Sequence, residues 1–328
     1  MKRIIALWIL LAGTGLIPLA CGYDGGTYGT GPRSSGNSPH PLSTLVANPT
    51  YTVPTPPYKT SWGTTGGPNA LAFGGGTTVY VAEADNSVAM VEVFDSSNPA
   101  TVLAQWVSYG ATALSWPGGV AYNPVNGNIY VTDNLNNAVY EFTAAGVTAG
   151  SWTGYGAQSF NAPEGIAADA SGNLYVADTG NARVEEFDPN GIPLHQWSSG
   201  GGLSFFQPSA VALDSSNDVY VADAGNERYV KFSSGGVTYL GAWPTLNYAD
   251  IFGIVVDPSG NLFAADYGDG TNQNGNGLVE EYDANGHVIA LWGSSVGPSV
   301  FGPDAVALSG ADVFVGDYNN DLIQVFGP

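Results

Sequence analysis

Pro163-Glu164-Gly165-Ile166-Ala167-Ala168-Asp169, Leu174-Tyr175-Val176-Ala177-Asp178 and Arg183-Val184-Glu185-Glu186-Phe187 are three short β-favouring runs that follow one another closely. Ser171-Gly172-Asn173, Thr179-Gly180-Asn181 and Asp188-Pro189-Asn190-Gly191 stand at the joints, where the chain needs a positive or preset φ to reverse. Ile192 to Trp197 supplies a fourth run. Four antiparallel strands in about 45 residues are the material of one propeller blade.

The unit recurs along the chain. The phrase Tyr175-Val176-Ala177-Asp178 has counterparts beginning at Tyr80, Tyr130, Tyr220, Phe263 and Phe314, at intervals of 50, 45, 45, 43 and 51. Its acid (Glu83, Asp133, Asp178, Asp223, Asp266 or Asp317) is followed three positions later by Asn86, Asn136, Asn181, Asn226 and Asn320 in five units. The expectation is a turn in which the acid accepts backbone N–H bonds and the Asn adopts the left-handed conformation. First strands are rich in Gly and Ala, as expected where innermost strands crowd around an axis.

Trp106, Trp152, Trp197, Trp243 and Trp292 mark the fourth strand of units one to five. The sixth unit ends after its third strand, at Phe326-Gly327-Pro328, and the missing Trp lies at the other end of the chain, in Tyr58-Lys59-Thr60-Ser61-Trp62. The sequence therefore predicts an all-β, six-bladed propeller whose N-terminal strand completes the last blade and removes the two free sheet edges.

Asn181-Ala182-Arg183-Val184-Glu185-Glu186-Phe187 and Asn226-Glu227-Arg228-Tyr229-Val230-Lys231-Phe232, with the Gly-Val/Ile-Ala and Tyr-Val-Ala-Asp phrases, resemble NHL repeats. The resemblance runs from Ser61 to Phe326. It departs where Ala138, Leu278 and Leu322 replace the Arg, and where blade one has two extra residues between Asn86 and Phe94. It implies a six-bladed propeller, on which the family carries enzymes, sensors, RNA binders and adhesion modules alike.

Lys2-Arg3 before the apolar run Ile4 to Ala12 has the form of an export signal, over residues 1–20. Leu19-Ala20-Cys21 resembles a lipobox, with Pro18 where the pattern prefers Leu, and makes Cys21 the expected lipidation site. Cys21 is the single cysteine, so no disulfide closes the ring within one chain. Residues 21–50 read as a Gly/Ser/Pro-rich tether and 51–328 as the propeller. With Gly22 after the cysteine, the expected location is the outer membrane or cell surface, with a periplasmic or secreted protein as the alternative. The membrane is met only through the lipid.

The chain carries 28 acids and a net charge of −21, and five bases remain after Cys21. Nucleic-acid binding needs basic patches against phosphate, so it is excluded. The three histidines are His40 in the tether and His195 and His287 on outer strands. Related propeller lyases use channel histidines, and a nucleophile–base pair needs an imidazole beside the nucleophile; neither arrangement can be built here, which weighs against an enzyme.

The second residues of the six first strands are Asn69, Gly118, Glu164, Ser209, Phe252 and Asp304, all placed at one mouth of the channel. The repeated turn acids are read as capping their own turns. Glu164 and Asp304 stand outside the repeat, opposite each other in blades three and six. With Asn69 and Ser209 they form the candidate ligand-binding set, able to hold Ca²⁺ or another divalent cation, or a basic peptide. Blade five adds seven residues after Asp266, and Tyr267 and Asp269 there are candidate partner contacts; the stretch lacks the order of an EF-hand loop. The sequence thus favours an exported scaffold that binds a protein, peptide or glycan. The alternative is a divalent-cation-dependent hydrolase or lyase, similar to propeller lactonases that use Asp, Asn and Glu.

Overall fold

The computed structural model describes residues 56–327 apart from 86, 100, 237, 247–249, 268–276 and 294–301. The signal segment, the tether, Cys21, His40 and Asp269 lie outside the described residues. Six four-stranded antiparallel sheets follow one another around the ring, with three two-stranded hairpins in the linkers between blades. Blade three comprises Pro163–Ala168, Leu174–Asp178, Arg183–Phe187 and Pro193–Trp197, and the other blades repeat this plan.

Ring closure follows the expected route. Tyr58–Gly63 pairs antiparallel with Leu322–Phe326, placing Trp62 opposite Ile323. The sixth blade therefore takes three strands from the C-terminal end of the chain and its outermost strand from the other end. Each blade is a separate four-stranded sheet.

The apolar core is divided into six wedges, one per interface between neighbouring blades. Tyr80, Val91 and Trp106 of blade one meet Ile129, Val131 and Phe142 of blade two, for example. The seam wedge joins Trp62, Phe314 and Ile323 to Leu71, Val79 and Phe94. At about 25 cal/mol per Å² of buried apolar surface, these wedges replace the single core of an ordinary domain.

Glycines in the innermost strands are there for close approach. A Cβ on Gly165 would lie 2.6 Å from the Ala210 Cα of the next blade. Outer tryptophans meet a second kind of glycine. Trp106, Trp152, Trp197 and Trp243 each lie where a Cβ on Gly146, Gly191, Gly236 or Gly286 would fall, in the turn between third and fourth strands of the following blade. All four of those glycines have positive φ.

One local expectation is corrected. The left-handed residue of the turn after the second strand is not the Asn but its successor: Asn137, Ala182, Glu227 and Asp321 have φ of 51° to 54°. The Asn is used through its side chain instead. Nδ2 of Asn181 donates to Asp178 Oδ2 at 2.7 Å and to Ser159 O at 2.9 Å. Asn226 does the same with Asp223 and Ser204.

Candidate functional site

In every blade the pairing of first and second strands slips by one residue at the entrance. The slips fall between Pro68 and Ala70, Pro117 and Gly119, Pro163 and Ile166, Pro208 and Ala210, Ile251 and Gly253, and Pro303 and Ala305. A bulge frees one residue from the ladder and re-aims its side chain. The freed positions are those of Asn69, Gly118, Glu164, Ser209, Phe252 and Asp304, so one repeated irregularity falls at all six positions.

The first strands enclose a central cavity of about 60 Å³, lined at this level by Asn69, Gly118 and Phe252 and deeper by residues such as Ile166 and Val306. That volume holds a few waters, whereas small-molecule pockets run to roughly 300–1,000 Å³. A ligand larger than a side-chain tip must therefore sit on the mouth rather than inside.

Much of the ring's polar capacity holds the blades together. Asn69 Nδ2 donates to Pro117 O at 3.1 Å, Ser209 Oγ to Ile251 O at 2.6 Å and Thr179 Oγ1 to Pro208 O at 2.8 Å. Thr132 Oγ1 donates to Glu164 O. Each bond crosses from one blade to the carbonyl at the entrance of the next. These threonines were not singled out in the sequence, although both lie next to or within one residue of a repeated acid.

Glu164 and Asp304 are the two acids of the ring. Asn134 Nδ2 lies 3.4 Å from Glu164 Oε1, a long contact, and Asp304 is 4 % exposed. Burial is the largest cause, and the Asp304 charge a further one, of a Glu164 carboxyl pushed up to about 8, against a hydrogen bond from Thr179. Glu164 as a whole is half-buried, and burial of its carboxyl is what governs its charge. Two acids in opposite blades thus feel each other across the channel.

Phe252 packs edge-on against Tyr267, with ring centroids 6.0 Å apart. Tyr267 does not project freely from its loop: its hydroxyl donates to Asn319 Oδ1 of blade six at 2.9 Å. The pair places an aromatic wall beside blade six, the blade of Asp304.

The repeated turn acids are occupied, but Asp178 and Asp223 accept no backbone N–H from the turns they were expected to cap; their backbone donors come from the preceding linker. Asp133 accepts from Ser115 N at 2.9 Å and Trp116 N at 3.1 Å. Asp178 and Asp223 accept from Asn161 N and Phe206 N, both at 2.7 Å. They pin the linker that enters their own blade. His195, on an outer strand, has Nδ1 bonded to Glu186 at 2.8 Å, and His287, expected on an outer strand but placed just before Val288–Trp292, has Nδ1 bonded to Asp283 at 3.0 Å. Among the described residues, no three of His, Cys, Asp and Glu converge as a metal site. The oxygen donors Glu164, Asp304 and Asn69 suit a hard cation such as Ca²⁺ rather than zinc.

The model of the SMP-30/Gluconolactonase/LRE-like region matches residues 103–202, from the outer strand of blade one through blade three. No curated protein matches the chain. Among solved structures, virginiamycin B lyase from Staphylococcus aureus superposes with a TM-score of 0.56 at 16% identity, covering 82% of this chain and 88% of that one. A catalytically inactive histidine-to-alanine variant of that lyase with quinupristin gives 0.57 at 14%, covering 82% and 87%. The nidogen/laminin complex gives 0.54 at 19%, covering 69% and 79%. At these identities the likenesses show a shared propeller fold.

Proposed function

We propose that this chain is an exported, lipid-anchored propeller of the NHL-repeat type that binds a protein, peptide or glycan partner at the cell envelope, and that its mouth takes a basic group of a peptide partner. The observation that carries this reading is the Glu164–Asp304 pair. The fold does not require acids at the bulged positions, since the other four blades have Asn, Gly, Ser and Phe there. Two acids enclosed by protein gain most from a cation that replaces lost water. The Phe252–Tyr267 wall adds a surface on which a cation or an alkyl stem can rest.

The entry of the N-terminal segment supports the same orientation. Tyr58 pairs with Phe326, at the end of blade six away from Asp317 and the mouth. A lipid at Cys21 then leaves the mouth directed outward. Calorimetric titration with a lysine-rich peptide tests the reading. The expected result is salt-sensitive binding that Asp304→Asn weakens at least tenfold; no binding at low salt overturns it.

The match over residues 103–202 favours a second reading, a divalent-cation-dependent hydrolase or lyase similar to the lactonases. Glu164, Asp304 and the Asn69 side-chain oxygen would hold the cation, which when bound would polarise a carbonyl at the mouth. Metal retained through purification, together with lactone hydrolysis lost in Glu164→Ala, would favour this reading over the first.

A further inference from the structure

Blade one also departs from the other five in its repeated acid. Its second strand carries Glu83, where the rest have Asp. The extra methylene carries the carboxyl to Glu92 on the third strand, and both side chains are fully buried. Gly66 N donates to Glu83 Oε2 at 2.8 Å. Thr65 N and Oγ1 donate to Glu92 at 3.0 and 2.6 Å, and Gln105 Nε2 of the outer strand donates to the same carboxylate. Thr65 and Gly66 belong to the linker between Gly63, the last residue of the closing strand, and Pro68, the first of blade one. The acid pair therefore grips the seam of the ring.

Elsewhere the corresponding acid meets a cation or an amide, and in blade three Arg183 lies on both Asp178 and the neighbouring Glu185. Asp178 has Arg183 at 2.9 Å, Asp223 has Arg228 at 2.7 Å and Asp317 has Gln324 at 2.9 Å. The groups bonded to the blade-one pair are Thr65, Gly66 and Gln105, together with the two glutamates themselves. Among the described residues no Lys, Arg or His is bonded to either. Glu83 Oε1 is buried and receives no donor, which is the arrangement of a carboxyl that is itself the donor. Burial, followed by the hydrogen bond to Glu92 and its charge, pushes Glu83 up to about 10, while Glu92 is lowered by its bonds. One proton is shared by two carboxylates.

We propose that Glu83 and Glu92 form a proton-dependent latch on the ring seam, in which the shared proton keeps the linker seated on blade one and its loss in alkaline solution frees the N-terminal strand. When the seam opens, Glu83 meets water and returns to the ordinary carboxylate range, so opening releases a proton. The closed state then loses ground by up to about tenfold per pH unit between the open and closed values. Acidification tightens the latch until both states hold the proton.

Lys59 reports the opening. It lies within the closing strand, where its ammonium is bonded to Asp312, and trypsin can cut after it when the strand leaves the sheet. The rate of cleavage between Lys59 and Thr60, divided by the rate on an unstructured lysine peptide at the same pH, is measured from pH 7 to 9. Wild type is expected to rise severalfold to tenfold per unit. Glu83→Gln, whose amide donates to Glu92 as the proton did, is expected to stay flat at the low value. Should that variant fail to fold, Glu92→Gln, whose amide donates to Glu83, is read in the same way. A flat wild-type profile, or a rise in either variant parallel to wild type, overturns the latch.

Discussion

Arg228 Nε lies 2.7 Å from Asp223 Oδ2, and Asp223 has no exposed surface. The same guanidinium donates to Gly200 O at 3.0 Å and Leu203 O at 3.2 Å in the hairpin entering blade four. One side chain thus joins turn acid, third strand and linker. Arg228→Leu places there the residue found in blades five and six. It leaves a buried charge with only Asn226 and Phe206 N as donors, and should destabilise the protein by about 3 kcal/mol. A lowered urea midpoint at unchanged slope is the expected measurement.

Gly191 has φ +76° and its Cβ would lie 3.0 Å from the Trp152 ring, whereas Gly127 has φ +72° with nothing within 4 Å. Gly127→Ala should cost about 1 kcal/mol, the backbone strain of a left-handed Ala alone. Gly191→Ala should cost more, because the methyl also displaces the tryptophan. Equal losses in thermal melts of the two variants would show that the contact contributes nothing.

The ring was legible because its signals are local and repeated: four turn-bounded strands, one acid and one Trp per unit, and a Trp out of place at Trp62. The mouth ring was legible as positions, since each follows the residue that opens its first strand. The bulge that aims those side chains was not legible, because it depends on the neighbouring blade's backbone. Gly165 meets Ala210 across 45 residues of chain, and nothing adjacent to Gly165 announces that contact. The Trp-to-Gly contacts between blades were hidden for the same reason. The Asn of each turn was misread as the left-handed residue because side-chain capping and backbone conformation favour the same residue type.

Trp62 is 7 % exposed and lies against Phe94 and Phe314, with ring centroids 6.3 and 5.9 Å away. It joins blade six to blade one at the only interface not continuous in sequence. Trp62→Ala should cost about 3–5 kcal/mol. The amides of Leu322 to Phe326, which pair with the closing strand, should then exchange hydrogen faster than those of blade three. Uniform acceleration across all blades would show that the seam is no weaker than the rest.

Glu164 gives the mouth its own pH dependence. Its carboxyl is raised to about 8 in the folded protein, and the unfolded chain releases that proton near pH 4.3. Between those values the native state binds the extra proton, so this group's contribution to stability falls as pH rises and is constant above the higher value. Glu164→Gln should flatten that part of the stability profile. Cation binding runs in the opposite direction, since Glu164 adds its charge to that of Asp304 only as it ionises. Peptide affinity should therefore increase from pH 6 to about 8 and then level. In Asp304→Asn, with the opposing charge gone, the residual rise should move to lower pH. An affinity that falls across this window would show that the mouth is not the cation's seat.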